Sequence, residues 1–185
     1  MKSNNPSIFS LLLTGLALML FVSDTLSQNT LFPVTDSRKY GYIDKAGNLK
    51  IPSQFDFATE FSDGLAHVKI EGKRGFVDEK GNMVIKPQYD KVRDFHDGLA
   101  AVKVEGQWGY IDKSGKFEIE PQFDYAYSFS EGLARIQMGG QLGFIDKTGN
   151  VVIKPQFDAA YDFKEGLARV KQGHYKTGKW AFIDK

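Results

Sequence analysis

No cysteine occurs anywhere in the 185 residues. That removes disulfide staples, thiol nucleophiles, Cys-ligated zinc and a lipid-modified N-terminal cysteine. A strong charge of either sign is also missing: 24 basic against 23 acidic residues leave a formal net charge of +1. Nucleic acid usually demands a markedly basic face, so no nucleic-acid partner is expected. Histidine is scarce. His67, His96 and His174 stand at unrelated places in the chain, without metal-ligand spacing and without a matched Ser or Asp motif. Surface histidine is the default reading. Catalytic residues, metal ligands and cofactor-binding residues are all expected to be none, and the chain reads as no enzyme.

Long hydrophobic runs are absent with one exception, the uncharged stretch Ile8–Val22. Lys2 precedes it and Ser23-Asp24-Thr25-Leu26-Ser27 follows. A short positive start, an apolar helix and small exit residues describe a signal peptide over 1–27. Fifteen residues at about 1.5 Å each reach some 22 Å, short of a roughly 30 Å bilayer core. An exported protein is therefore expected, in the periplasm, outside the cell or on the outer envelope. The alternative is a membrane anchor through residues 8–22, in which case the membrane is met only through this segment. N-terminal sequencing of the purified protein is expected to begin near Gln28; recovery of Met1 or Lys2 in a membrane fraction would show a retained anchor.

What the chain has is a period of 34 residues. Gly41-Tyr42-Ile43-Asp44-Lys45 returns as Gly75-Phe76-Val77-Asp78-Glu79, Gly109-Tyr110-Ile111-Asp112-Lys113 and Gly143-Phe144-Ile145-Asp146-Lys147. Phe61-x-Asp63-Gly64-Leu65-Ala66 keeps the same step. Repeats of this length build arrays whose neighbours complete each other's core. The units are 41–74, 75–108, 109–142 and 143–180, with a partial fifth over 181–185, preceded by a flank or cap over 28–40.

Each unit holds three strand-like runs. Gly109–Asp112 ends in a turn that Asp112 and Gly115 suit, through a carboxylate acceptor and a φ > 0 position. Val151–Ile153 meets Pro155, which should end the strand or place it at an edge. In Leu65–Ile70, Ala66 and Val68 face inward while His67 and Lys69 face water. Glu71-Gly72, Glu105-Gly106 and Gly139-Gly140 read as two-residue hairpins into the next unit. The expectation is an all-β open stack of three-stranded antiparallel meanders, with a small closed propeller-like ring as the alternative.

The string Gln107-Trp108-Gly109-Tyr110-Ile111-Asp112-Lys113-Ser114-Gly115 resembles the WG-repeat, or KWG-repeat, family of bacterial proteins, over roughly residues 38–185. The Trp-Gly pair itself occurs once; its slot holds Tyr40, Arg74 and Leu142 elsewhere, and Trp180 precedes Ala181. The resemblance implies a β-rich repeat module, often exported, presumed to bind something and carrying no catalytic motif.

Three features could carry more. Asp44, Asp78, Asp112 and Asp146 sit in Asp-x-x-Gly turns that look like fragments of calcium loops, but each offers one carboxylate where calcium takes six to eight oxygens, so turn stabilisation is the reading. Aromatics recur as Tyr42/Phe76/Tyr110/Phe144/Phe182, Phe55/Tyr89/Phe123/Phe157 and Phe61/Phe95/Phe129/Phe163. Sugar stacking is possible for such ladders; core packing is the better account. The units differ most beside the small slot Ala58/Val92/Ala126/Ala160. An extended connector there points Tyr125, Tyr127 and Tyr161 to solvent, and Arg135 and Arg169 are candidates to lie with them. These five residues are the candidate surface for a protein or glycan partner. The alternative function is a purely structural spacer of the envelope.

Overall fold

Turn chemistry sets the meander. The computed structural model of the protein describes residues 30–173 and 177–185; the expected signal segment and His174 lie outside the described residues. Both residues of the hairpins Glu71-Gly72, Glu105-Gly106 and Gly139-Gly140 have positive φ, from 48° to 90°, the geometry whose twist matches the flanking strands. Asp63-Gly64 and its counterparts make the same turn.

The described residues are all strand and turn, in five antiparallel sheets. The first contains β1 (Phe32–Asp36), β2 (Lys39–Ile43) and β3 (Leu49–Phe55). The second contains β4 (Phe57–Ala58), β5 (Leu65–Ile70), β6 (Lys73–Asp78) and β7 (Met83–Tyr89). The third has β8 (Lys91–Val92), β9 (Ala100–Val104), β10 (Gln107–Ile111) and β11 (Phe117–Phe123); the fourth has β12 (Tyr125–Ser130), β13 (Leu133–Met138), β14 (Gln141–Ile145) and β15 (Val151–Phe157). The fifth comprises β16 (Ala159–Ala160), β17 (Ala168–Gln172) and β18 (Lys179–Ile183). The connector is extended and supplies the first strand of each later sheet. Sheets therefore change at Asp56, Asp90, Asp124 and Asp158, not at the ends of the sequence units. At this corner the Asp56 N–H donates to Lys69 O at 2.8 Å, and its carboxylate accepts from the Glu71 N–H at 2.8 Å.

Prolines 87, 121 and 155 do not end their strands. They sit on edge strands, inside a bulge where three residues oppose one glycine: Trp108 pairs with Phe123 and Tyr110 with Ile119, so Glu120–Gln122 arches over Gly109. An edge strand loses no ladder bond to proline.

The sheets stack in sequence order. Tyr42, Ile51 and Phe55 of the first sheet pack on Ala58, Ala66, Val68 and Val77 of the second. Phe76, Ile85 and Tyr89 of the second pack on Phe95, Ala100, Val102 and Ile111 of the third, and two further clusters repeat the scheme. No core cluster among the described residues joins the first sheet to the last. The array is open, as the atypical flanks of the sequence suggested. The three aromatic ladders are this core, apart from Phe61, which is half-buried, and Phe182, which is exposed. Tyr42 and Tyr110 donate their hydroxyls to the Thr59 and Tyr127 carbonyls, each at 2.8 Å. Burial raises both phenols well above the ordinary tyrosine range.

Acidic side chains knit turns and loops. Asp44 Oδ1 accepts from the Ala46 and Asn48 N–H groups, each at 2.9 Å, and Asp146 repeats this with Thr148 and Asn150. The Asn48 side chain chiefly holds the Asp44 carboxyl down at about 2, and the Thr148 hydroxyl does the same for Asp146. A second set runs between units: the Gly98 N–H donates to Asp63 and the Gly132 N–H to Asp97, each at 2.8 Å, and the Gly166 N–H to Glu131 at 3.0 Å. Asp44 and Asp146 have native pKa values below the unfolded value of about 3.9, so the stability they add is complete above pH 4 and lost as pH falls through about 2. Thermal melts are expected to hold level from pH 7 to about 5 and to drop between about 4 and 2. A drop already complete at pH 5 would contradict the turn assignment.

Candidate functional site

Tyr125, Tyr127 and Arg135 lie in the fourth sheet, and Tyr161 and Arg169 in the fifth. Position 67 and its counterparts 101 and 135 face the following sheet, because both faces of every interior sheet are covered; position 169 holds the same slot in the last sheet. His67 is accordingly buried, not a surface residue, and Ala101 is fully buried. Only His96 fits the surface reading among the described histidines. His67 Nδ1 lies 2.9 Å from Asp94 Oδ1 in the next sheet's connector, and Arg74 Nη1 lies 2.9 Å from Nε2. A guanidinium can only donate, so Nε2 accepts and Nδ1–H donates to Asp94. Thr59 also donates to Asp94, at 3.0 Å. Burial pushes the Asp94 carboxyl upward, but the bonds from His67 and Thr59 prevail and hold it below the usual range.

Arg135 repeats that strut two interfaces further on, between the fourth and fifth sheets. Its Nε donates to Asp162 Oδ1 at 3.1 Å, its Nη1 donates to the Ala160 carbonyl, and its guanidinium lies 3.6 Å from the Tyr127 ring centroid. The offset is the same in both struts: His67 to Asp94 and Arg135 to Asp162 are each 27 residues apart.

The structure gathers Tyr125, Tyr127 and Arg135 through a residue that the sequence reading left out. Arg93 lies over the rings of Trp108, Tyr125 and Tyr127 at 5.8, 5.2 and 4.9 Å, and its Nε donates to the Ala126 carbonyl at 2.8 Å. Arg93 varies in type from unit to unit like its neighbours, and nothing in its spacing marks it. Tyr127 is half-buried, the Arg135 side chain is 12% exposed and Tyr125 is 37% exposed, and one face of each ring is occupied by the chain's own cations. Contacts of this kind contribute roughly 0.5–1 kcal/mol each.

Tyr125, at 37% exposure, reaches solvent at the edge of the fourth sheet, and the row opens furthest in the fifth. Tyr161 and Trp180 are 51% and 45% exposed, with Arg169 over both rings at 4.5 and 4.3 Å. Arg169 and Tyr161 thus share one face, and Arg135 joins the two clusters through Asp162. Arg169 occupies the slot of His67 and Arg135, but no carboxylate meets it among the described residues. Beside it a groove is walled by Ser130, Glu131, Lys164, Glu165, Leu167 and Phe182. Lys185 crosses its rim to Glu131, at 3.1 Å from the carboxylate. No group of three or more acidic or histidine side chains that could hold a metal occurs among the described residues.

The family model for the WG containing repeat matches residues 40–73, 75–108, 108–141 and 143–180, so the chain belongs to that family. No curated protein matches it. Among solved structures, a plant lectin with two metal binding sites from Cicer arietinum aligns at 16% identity and a TM-score of 0.31, covering 71% of this chain and 87% of that one. A 2S albumin seed protein from Dolichos aligns at 14% identity and a TM-score of 0.26, covering 86% and 92%. Superpositions this loose carry no argument.

Proposed function

We propose that this WG-repeat chain is an exported, non-catalytic binding module, and that the uncovered face of its fifth sheet receives a protein partner. The observation that carries the reading is the contrast along one row of aromatic and arginine residues. In the third and fourth sheets Trp108, Tyr127 and Arg135 are largely covered and Tyr125 alone reaches solvent; in the fifth, Tyr161, Arg169, Trp180 and Phe182 all stand open beside a groove of mixed polarity. Exposed aromatics with arginine are what protein interfaces favour at their centres. Arg169 lies over one face each of Tyr161 and Trp180, which places a cation beside the rings as protein interfaces favour. The apolar segment before Gln28 supports export.

The test is affinity recovery from an extract of the native envelope, with the purified chain and its Phe182→Asp variant as baits. A protein held by the first and lost by the second, and still held after enzymatic removal of glycans, is the expected result. Identical recovery by both baits would leave the spacer reading in its place.

A further inference from the structure

The two ends of the array expose the two halves of the same interface. Val34 pairs with Gly41 as Val68 pairs with Gly75, so Phe32 and Val34 hold the places of Ala66 and Val68. Ile43 pairs with Leu49 as Val77 pairs with Met83. Phe32, Val34, Ile43 and Leu49 therefore form the face that, in every later sheet, lies against the sheet before. At the other end Phe182 holds the place of Phe76 and Phe144, in the face that every earlier sheet lays against the sheet after.

Arrays of this kind stay soluble by ending in polar caps. Here both ends are apolar. Phe32 and Leu49 are 38% and 57% exposed at one end, and Phe182 is 70% exposed at the other. We infer that the partner is a second copy of this chain, docked head to tail, with the first sheet of one copy seated on the fifth sheet of the other. The inference rests on the proposed role of that last face as a protein-binding surface.

Four interior interfaces show how the halves fit. In each, an aromatic of the earlier sheet meets a ring brought by the connector of the later one: Phe76 with Phe95 at 4.7 Å, Phe144 with Phe163 at 4.9 Å. Among the described residues the first sheet has no connector strand. It carries instead Phe32 where the other units have alanine, and this ring supplies the missing bulk against Phe182. Arg169 gains no counterpart of Asp94 or Asp162 from the described residues of the incoming sheet, so the joint lacks the strut of the second–third and fourth–fifth interfaces, as does the third–fourth interface with Ala101 in that slot. A head-to-tail contact closes only when its rotation completes a ring, and a stack that continues its own axis does not, so assembly continues with concentration.

Sedimentation of the purified chain over a range of concentrations tests this, together with Phe32→Asp and Phe182→Asp, one at each end. Both positions are exposed, so unchanged melting confirms folding. The parent chain is expected to form larger species as concentration rises, and each variant alone to stay monomeric. An equimolar mixture of the two is expected to form a dimer and nothing larger, because one intact half remains on each. A monomeric parent chain, a variant that still associates alone, or a mixture that stays monomeric would each overturn the inference. If the parent is monomeric while Phe182→Asp still loses a recovered protein, the face binds another partner and only the second-copy inference fails; if nothing is lost, the functional reading fails with it.

Discussion

Gly109→Ala is expected to destabilise the protein by about 3 kcal/mol or more, among the largest effects a single methyl group has. A Cβ at Gly109 would lie 2.5 Å from Ile119 O, 2.7 Å from Pro121 N and 2.9 Å from Glu120 C, all of them backbone. The arch of β11 presses onto this glycine, and the arch is held on both sides by the pairs Trp108–Phe123 and Tyr110–Ile119. Backbone fixed at two such points has nowhere to go. Gly98→Ala makes the control. Gly98 has φ of 87° with nothing within 4 Å of its would-be Cβ, so the change costs only the left-handed conformation, about 1–2 kcal/mol. Denaturant midpoints should fall much further for Gly109→Ala; equal shifts would contradict the bulge.

The second large effect compares one residue type in one slot of two sheets. Phe144 is 1% exposed and packs edge-on against Phe163, whereas Phe182 is 70% exposed. Phe144→Ala is expected to cost about 3–5 kcal/mol, from lost burial and the cavity left between the fourth and fifth sheets. Phe182→Ala should cost under about 0.5 kcal/mol in the monomer. Thermal or denaturant melts at low concentration give both values. A comparable loss for the two would mean that Phe182 is covered in solution.

Much of this was readable in the chain itself. Each turn advertises its geometry through Asp-Gly or Glu-Gly pairs, and the 34-residue step fixes how often the meander recurs. The phase of the sheets was not readable. Asp56 and its counterparts look like one more turn residue, and nothing local shows that the short run after them pairs with the strand that follows. The inward and outward assignment of β5 failed at His67 for a related reason. Alternation reports a strand with one wet face, and here both faces are covered by sheets about 34 residues away in sequence. Leu99-Ala100-Ala101-Val102 carried the correcting signal, an unbroken apolar run of the sort that marks strands buried on both sides. Tyr125 and Tyr127 lie against each other at 5.0 Å and Tyr161 lies against Trp180, and the differing exposure of the three depends on Arg93, Arg135 and the presence or absence of a next sheet. Those are long-range facts. The tyrosines alone do not encode them.

An open stack whose two end faces are left uncovered by the described residues is the premise of everything functional above, and distances along the array test it most directly. Because the chain has no cysteine, pairs of cysteines introduced at Lys45, Lys113 and Lys147, all exposed and in equivalent turns, can carry spin labels without background. Sheets packed face to face lie about 10 Å apart. In an open stack the 45–147 distance should exceed the 45–113 distance by about one such spacing. A 45–147 distance equal to or shorter than 45–113 would show an array curling back on itself, with no free end for a partner to meet.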